Sequence, residues 1–512
     1  MLKLVGDDRI ELYLRNVEQI LQLLRATFPL FNHSNSTYNC ETLPDSVEKL
    51  ACQWRFLTEI IPVNSQDEAN LQIWQKSISM WLKKAQEIMS NVATNYGLSR
   101  LRFGVTISIF GLGLSIYASS QFITREIISC SIFYIIVFLH GITMFGSSYV
   151  EEEQSFWYWA TSAWLGCLLI KYSREKKMSK YLMFLGLVLV RTAMRWNQTG
   201  NKFAGQPDIA KSFLLKHYRM LWLLVMISYL WNLFSLQSQR HNYLQSTVFD
   251  IITILISSAA LSLKIALIDE DSPEIISDSL RSIANLSLGL STVFRVRLIF
   301  FIMSVLLYFT IRLRLKHKIT SYQTAYIIHK ILICILYTQS RVENIPLLLT
   351  FELLFMLLDK LNLSVIEVTI TNILLQHTSF FALGGSNAIS SIDLSNAYNG
   401  VDNFNVIVVG VLTFISNWAG PILWTSASNL MLLRIPRIRK RNIFLSHVAL
   451  LTVFLTCSLS FTMVACILLR THLFVWTVFS PKFLYSLAWS LGQHLCVNLV
   501  FGGLLYWVGT YN

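Results

Sequence analysis

The sequence has 512 residues, 54% apolar and 14% charged, with a mean hydropathy of +0.51. Water-soluble chains usually carry about 25% charged residues, which excludes one large soluble domain. Lys and Arg number 42 against 29 Asp and Glu, a net charge of +13, yet residues 1–100 hold ten basic and eleven acidic residues. The basic excess lies in the apolar remainder, and nucleic-acid binding is set aside.

In chain order, residues 1–100 read as a small amphipathic helical segment. Ile10, Leu14, Val17, Leu21 and Leu24 recur at helical spacing. So do Val47, Leu50, Ala51, Trp54 and Leu57, and then Trp74, Ile78, Trp81, Ala85 and Ile88. Three such helices form a small bundle or lie on a membrane face, with the Trp residues in the core. Cys40 and Cys52 are the two cysteines of this segment and could pair in an oxidising lumen. Met1–Gly6 is no signal peptide, because Asp7, Asp8 and Arg9 follow without an apolar stretch.

Residues 101–512 read as a polytopic transmembrane domain, since a bilayer core needs roughly 20 apolar helical residues per crossing. The spans are 103–122, 127–149, 155–170, 181–196, 218–236, 246–268, 294–311, 322–339, 345–359, 364–383, 404–424, 443–469 and 483–508. The fold class is therefore an all-α polytopic membrane protein with about thirteen transmembrane helices. Loops 171–180, 312–318 and 434–441 carry net charges of +4, +4 and +5. Under this count all three fall on one face, the cytosolic one. Residues 1–100 are then lumenal and the C-terminus is cytosolic. The sequons at Asn32, Asn35, Asn197 and Asn285 fall on the lumenal side and are glycosylation candidates.

No HExxH, GxSxG, P-loop or GxGxxG occurs, and the cysteines show no zinc-type spacing. No catalytic residue, metal ligand or cofactor site is assigned. What remains is polar groups inside predicted membrane helices, where an ionisable side chain is costly and marks a candidate site. Glu367, Thr371 and Thr378 form a polar stripe within about 40° on one helix face, with His377 beside it. Glu352 and Asp359 share a face of the preceding helix. Arg191 and Arg195 are an i,i+4 pair able to flank a lipid phosphate. Internal pairing or snorkelling is the competing reading for all of these.

The densest polar stretch follows the tenth helix. Gly384–Gly385 ends that helix, and Ser386, Asn387, Ser390, Ser391, Asp393, Ser395, Asn396 and Asn399 come next. Trp418–Ala419–Gly420–Pro421 then marks a kink. A loop of some twenty residues is usually functional or disordered.

Four blocks here resemble a signature of the glycosylphosphatidylinositol (GPI) ethanolamine phosphate transferases, in particular the fungal branch acting on the second mannose. They are Ser379–Ala382, Gly384–Asn387, Ile392–Gly400 and Asn417–Pro421. The resemblance implies a multi-pass protein of the endoplasmic reticulum membrane. Its partners would be the GPI precursor, phosphatidylethanolamine and a small membrane subunit. Members of that family carry a membrane anchor and a lumenal phosphatase-like domain, in which zinc and a threonine move ethanolamine phosphate onto a mannose. That domain has no counterpart in these residues, so the expectation is a membrane region that holds GPI or donor lipid. The head-group candidates are Arg191, Glu352, Glu367, His377, Ser386, Asn387, Asp393, Asn396 and Asn399. A polytopic transporter and a non-catalytic GPI-binding paralogue remain alternatives.

Overall fold

The computed structural model describes residues 6–32, 40, 43, 45–59, 68–93, 97–121, 127–174, 180–198, 206–238, 247–285, 290–317, 319–436, 440–470 and 473–510. Among the described residues there is no strand. The chain divides into two compact units, Met1–Phe103 with Cys466–Thr477, and Gly104–Ala465 with Val478–Asn512.

The first unit contains α1 (Gly6–Thr27), α2 (Ser46–Glu59) and α3 (Glu68–Ala93). Their apolar stripes meet in one core built on Val17, Leu21, Leu24, Leu50, Trp74, Ile78 and Trp81. Trp81 is buried and donates its indole N–H to the Leu50 carbonyl at 2.9 Å. Burial with a satisfied N–H is how an indole contributes to a core. Cys40 and Cys52 are joined by a disulfide.

In chain order, the remaining helices are α4 (Leu98–Ser120), α5 (Ile127–Thr143), α6 (Ser147–Glu151), α7 (Glu153–Arg174), α8 (Lys180–Met194), α9 (Tyr218–Ser238), α10 (Thr247–Asp271) and α11 (Asp278–Asn285). They continue with α12 (Thr292–Leu315), α13 (Ser321–Gln339), α14 (Ile345–Asp359), α15 (Val365–Ala382), α16 (Val406–Asn417), α17 (Ala419–Arg434), α18 (Lys440–Leu468), α19 (Leu473–Leu487) and α20 (Gly502–Thr510). A π-helical segment, Ala488–Phe501, joins α19 to α20.

Every predicted span coincides with a helix or a pair of helices. Among the described residues, however, six helices, rather than thirteen, are by themselves long and apolar enough to cross a bilayer. The bent pair α16–α17 makes a seventh if counted as one span. Four of the others differ for two physical reasons. Helices α8 and α14 have 15 residues each, shorter than the roughly 17 that span a hydrocarbon core. Helices α13 and α15 carry polar side chains that the bundle buries. The kink read from Trp418–Pro421 is a 71° bend, and the predicted single helix continues beyond it to Arg434.

Helix α15 is the axis of this unit: all of Val365–Ala382 is buried, against α7 on one side and α17 on another. Its neighbour α17 also packs on α13 and α20. Helix α4 turns Phe103, Ile107, Phe110 and Leu114 outward, and α12 does the same with Phe301 and Phe309. An apolar exterior around a polar-bearing interior is the arrangement lipid demands, because backbone groups must be satisfied within each helix. Close approach of α15 and α17 depends on Gly420: a Cβ there would lie 2.5 Å from the Ser379 Cβ.

Gly420→Ala should cost about 1–3 kcal/mol by overpacking, read as a lower unfolding midpoint in detergent. Cys52→Ser should cost the first unit about 3 kcal/mol, the loop-closure value for so short a ring, read as faster proteolysis within residues 40–60.

Candidate functional site

The chain between α15 and α16 has no regular structure apart from one turn of 3-10 helix, Ile389–Ser391. Such a segment must satisfy its backbone through side chains and turns, and here it is fastened on every side. Gly384, with φ +105°, ends α15 in the left-handed region. Asn197 donates to the Ala382 carbonyl at 2.7 Å and Asn344 to that of Leu383 at 2.9 Å. Asn387 donates to the Val150 carbonyl and to Glu153, both at 2.7 Å. The Tyr485 hydroxyl donates to Ala388 O at 3.0 Å. Asn417 bonds both the amide and the carbonyl of Asp393. Asn399 reaches the Thr338 carbonyl at 3.4 Å, and Arg297 closes the segment by donating to Gly400 O at 2.8 Å.

Asp393 pairs with Arg341 at 2.9 Å and accepts from the Ser395 amide and hydroxyl. Burial raises its carboxyl pKa, but the Arg341 and Ser395 hydrogen bonds outweigh burial and hold it below the usual carboxylate range. Asn396 is buried and accepts from Lys264 at 3.1 Å. Ser386 accepts from the Ala388 amide. Thus Asn387, Asp393, Asn396 and Asn399, the head-group candidates of this segment, take part in holding the loop. Its outward face carries Ile389, Leu394, Tyr398 and Phe404, each more than half exposed.

Below this plate, three buried carboxylates each meet a lysine from another helix. Glu153 accepts from His140 at 2.9 Å, Trp157 at 3.1 Å, Asn387, and Lys482. Glu352 accepts from Lys330 and contacts His329 at 2.5 Å, whose other ring nitrogen meets Ser426 at 2.9 Å. Glu367 pairs with Lys171 at 2.7 Å and Tyr172 at 2.9 Å, and with Ser364 forms the capping box of α15. The Thr371 and Thr378 stripe completes that contact, facing Trp164 at 2.9 Å and Thr161 at 2.7 Å on α7. Glu352 and Glu367, candidates from sequence, are therefore joints between helices. Asp359 is likewise paired, with Arg434 at 3.0 Å.

His377 lies stacked between Trp157 and Trp489, with ring centroids 4.0 and 4.1 Å away, and its Nδ1 bonds the Ile373 carbonyl. It lines a cavity with His140, Glu153, Gln376, Lys482 and Gln493. That cavity measures 40 Å³, close to the roughly 30 Å³ share of one water. Arg191 sits over the Trp159 ring at 4.2 Å. The Asn197 amide, a glycosylation candidate from sequence, is buried and donates to Asn344 and Ala382. Asn35 and the side chains of Asn32 and Asn285 lie outside the described residues.

Lys264, His329, Lys330 and Lys482 were missed from sequence, although three of them could be read as charges within apolar spans. The zinc chemistry implied by the resemblance finds no ligand set: among the described residues no three His, Cys, Asp or Glu side chains converge. Where His140 and Glu153 come together, the third position belongs to the Lys482 ammonium, which repels a cation.

The fold and this fastened loop define a polytopic α-helical membrane scaffold. Residues 93–511 match the family described as GPI ethanolamine phosphate transferase membrane region. The chain is similar to GPI ethanolamine phosphate transferase 2 of Aspergillus oryzae, 34% identical over 97% of this chain and 56% of the relative. It is also similar to the Aspergillus fumigatus protein of that name, 36% identical over 96% and 52% of the two chains. The Yarrowia lipolytica protein of that name is 30% identical, over 83% and 54%. No solved structure matches. The chain belongs to the GPI ethanolamine phosphate transferase family, as its membrane region, and spans about half the length of these relatives.

Glu153→Gln leaves the Lys482 ammonium buried without its counter-ion and should cost about 3–5 kcal/mol. The double variant Glu153→Gln/Lys482→Met should regain most of that loss, measured by thermal unfolding in detergent. Asp393→Asn should quicken amide exchange across 386–400. Because the Asp393 carboxyl lies below its unfolded value, its contribution is complete above about pH 4. It is lost only as pH falls through the lower folded value, so loop protection factors, with the intrinsic pH dependence of exchange divided out, should be flat from pH 5 to 8.

Proposed function

We propose that this chain is the membrane part of a transferase that moves ethanolamine phosphate from phosphatidylethanolamine to the second mannose of a GPI precursor. Its own task would be to hold GPI or donor lipid and present the head group at the 384–405 loop. The observation that carries this reading is the loop itself. It matches the family within residues 93–511 and forms a plate tied to α6, α7, α10, α12, α13, α16 and α19 rather than a free connection. Rigidity of that kind positions a substrate, whereas a plain connection between two helices needs only a few residues.

The reading places the protein in the endoplasmic reticulum membrane, with residues 1–100 and the plate lumenal and the C-terminus cytosolic. Zinc and the reacting residues would belong to the phosphatase-like domain of the whole protein. A small membrane subunit is a further expected partner. The bent pair α16–α17 favours one competitor, since broken helices are common in transporters.

Glycosylation reporters test the orientation: one at 171–180 should stay unmodified and one at 386–400 should be modified. The opposite pattern would overturn the topology. In cells lacking the second-mannose transferase, this chain alone should leave that mannose bare, and the catalytic domain supplied with it should restore the modification. Restoration by the chain alone would refute the division of labour, and lipid movement without modification would favour the transporter.

A further inference from the structure

A second cavity lies beside the plate, between the first turns of α7 and the chain that follows α8. It measures 120 Å³ and is lined by Gln154, Ser155, Tyr158, Arg195, Gln198 and Gln206, with Met194 and Asn197 completing the wall. At about 30 Å³ per water, it has room for a group of phosphate size.

Its chemistry is one-sided. Arg195 is its one charged lining residue among the described residues, its side chain is exposed, and no carboxylate shares the wall. No acidic partner of Arg195 occurs among the described residues. Arg191, one turn away, is by contrast committed to the Trp159 ring. Tyr158 in the same wall is buried, and its hydroxyl has no hydrogen-bond partner among the described residues. A buried hydroxyl without an acceptor is costly and usually marks a missing partner. The Gln198 and Gln206 side chains add polar lining, whereas the Gln154 amide already donates to the Glu152 carboxylate at 2.9 Å. A guanidinium and a buried hydroxyl on one wall suit a phosphate oxygen. Asn197 ties this wall to the last turn of α15, at the start of the plate.

We propose that the Arg195 cavity is a phosphate-binding site for a lipid head group, with Arg195 pairing the phosphate and Tyr158 donating to one of its oxygens. This rests on reading the chain as a lipid-holding membrane region, and it moves the phosphate contact from Arg191 to Arg195.

Titration of the purified chain in uncharged detergent with dihexanoyl-phosphatidylethanolamine tests the site, with dihexanoylglycerol as the phosphate-free control. The phospholipid should bind and the glycerolipid should not. Arg195→Gln should weaken binding about tenfold or more, the scale of a charge-assisted hydrogen bond. Tyr158→Phe should weaken it about threefold, and Arg191→Gln less than about twofold. Arg195→Lys should retain part of the affinity, which keeps the test open if Arg195→Gln unfolds. Competition by inorganic phosphate would show that the site accepts the free ion, and its absence that the phosphate must be lipid-borne; both support phosphate recognition. Equal binding by wild type and both Arg195→Gln and Tyr158→Phe would overturn the proposal, as would equal binding of the glycerolipid. This titration reads retention, not transfer. A chain that binds as expected but fails to support modification in cells would refute the functional reading alone.

Discussion

A charge inside an apolar bundle persists only where another group matches it, and the Glu153 carboxylate is where that constraint gathers most of the structure. It draws in His140 from α5, Trp157 from its own helix, Lys482 from α19 and Asn387 from the plate. Glu352 and Glu367 repeat the arrangement, with Lys330 across α13–α14 and Lys171 across α7–α15. Separating any one of these pairs leaves an ion in a medium that cannot solvate it. The pairs therefore set which helices lie beside which, and the plate inherits its position from Glu153.

The plate in turn explains why so polar a segment can lie at the end of an apolar bundle. Its Asn and Asp side chains are consumed in bonds to Glu153, Arg341, Thr338 and the loop's own amides. The exposed face is left to Ile389, Leu394, Tyr398 and Phe404. A head group meeting this surface would find a shaped apolar rim, with polar recognition displaced to the neighbouring cavity at Arg195. The division suits a region that positions a lipid for chemistry carried out by other residues.

Much of the fold was legible because its signals are local. Apolar runs locate the helices, the Ser364–Glu367 spacing announces the capping box, and Trp418–Pro421 announces the bend. The site was legible only in part. The Glu367, Thr371 and Thr378 stripe was visible, but not that α7 would fill it with Lys171, Trp164 and Thr161. The role of Glu153 is not legible at all, because nothing near it in the chain discloses Lys482, 329 residues away.

The sequence by itself determined the helical membrane class, the place of each helix, the long loop and the family, since composition, periodicity and motif are properties of neighbouring residues. Only the tertiary structure decided which polar groups are spent on one another and which are left over. That choice turns on contacts between residues hundreds of positions apart. It paired Glu352, Glu367 and Asn387 with distant side chains, and it set Arg195 beside a cavity with no acidic partner of its own among the described residues.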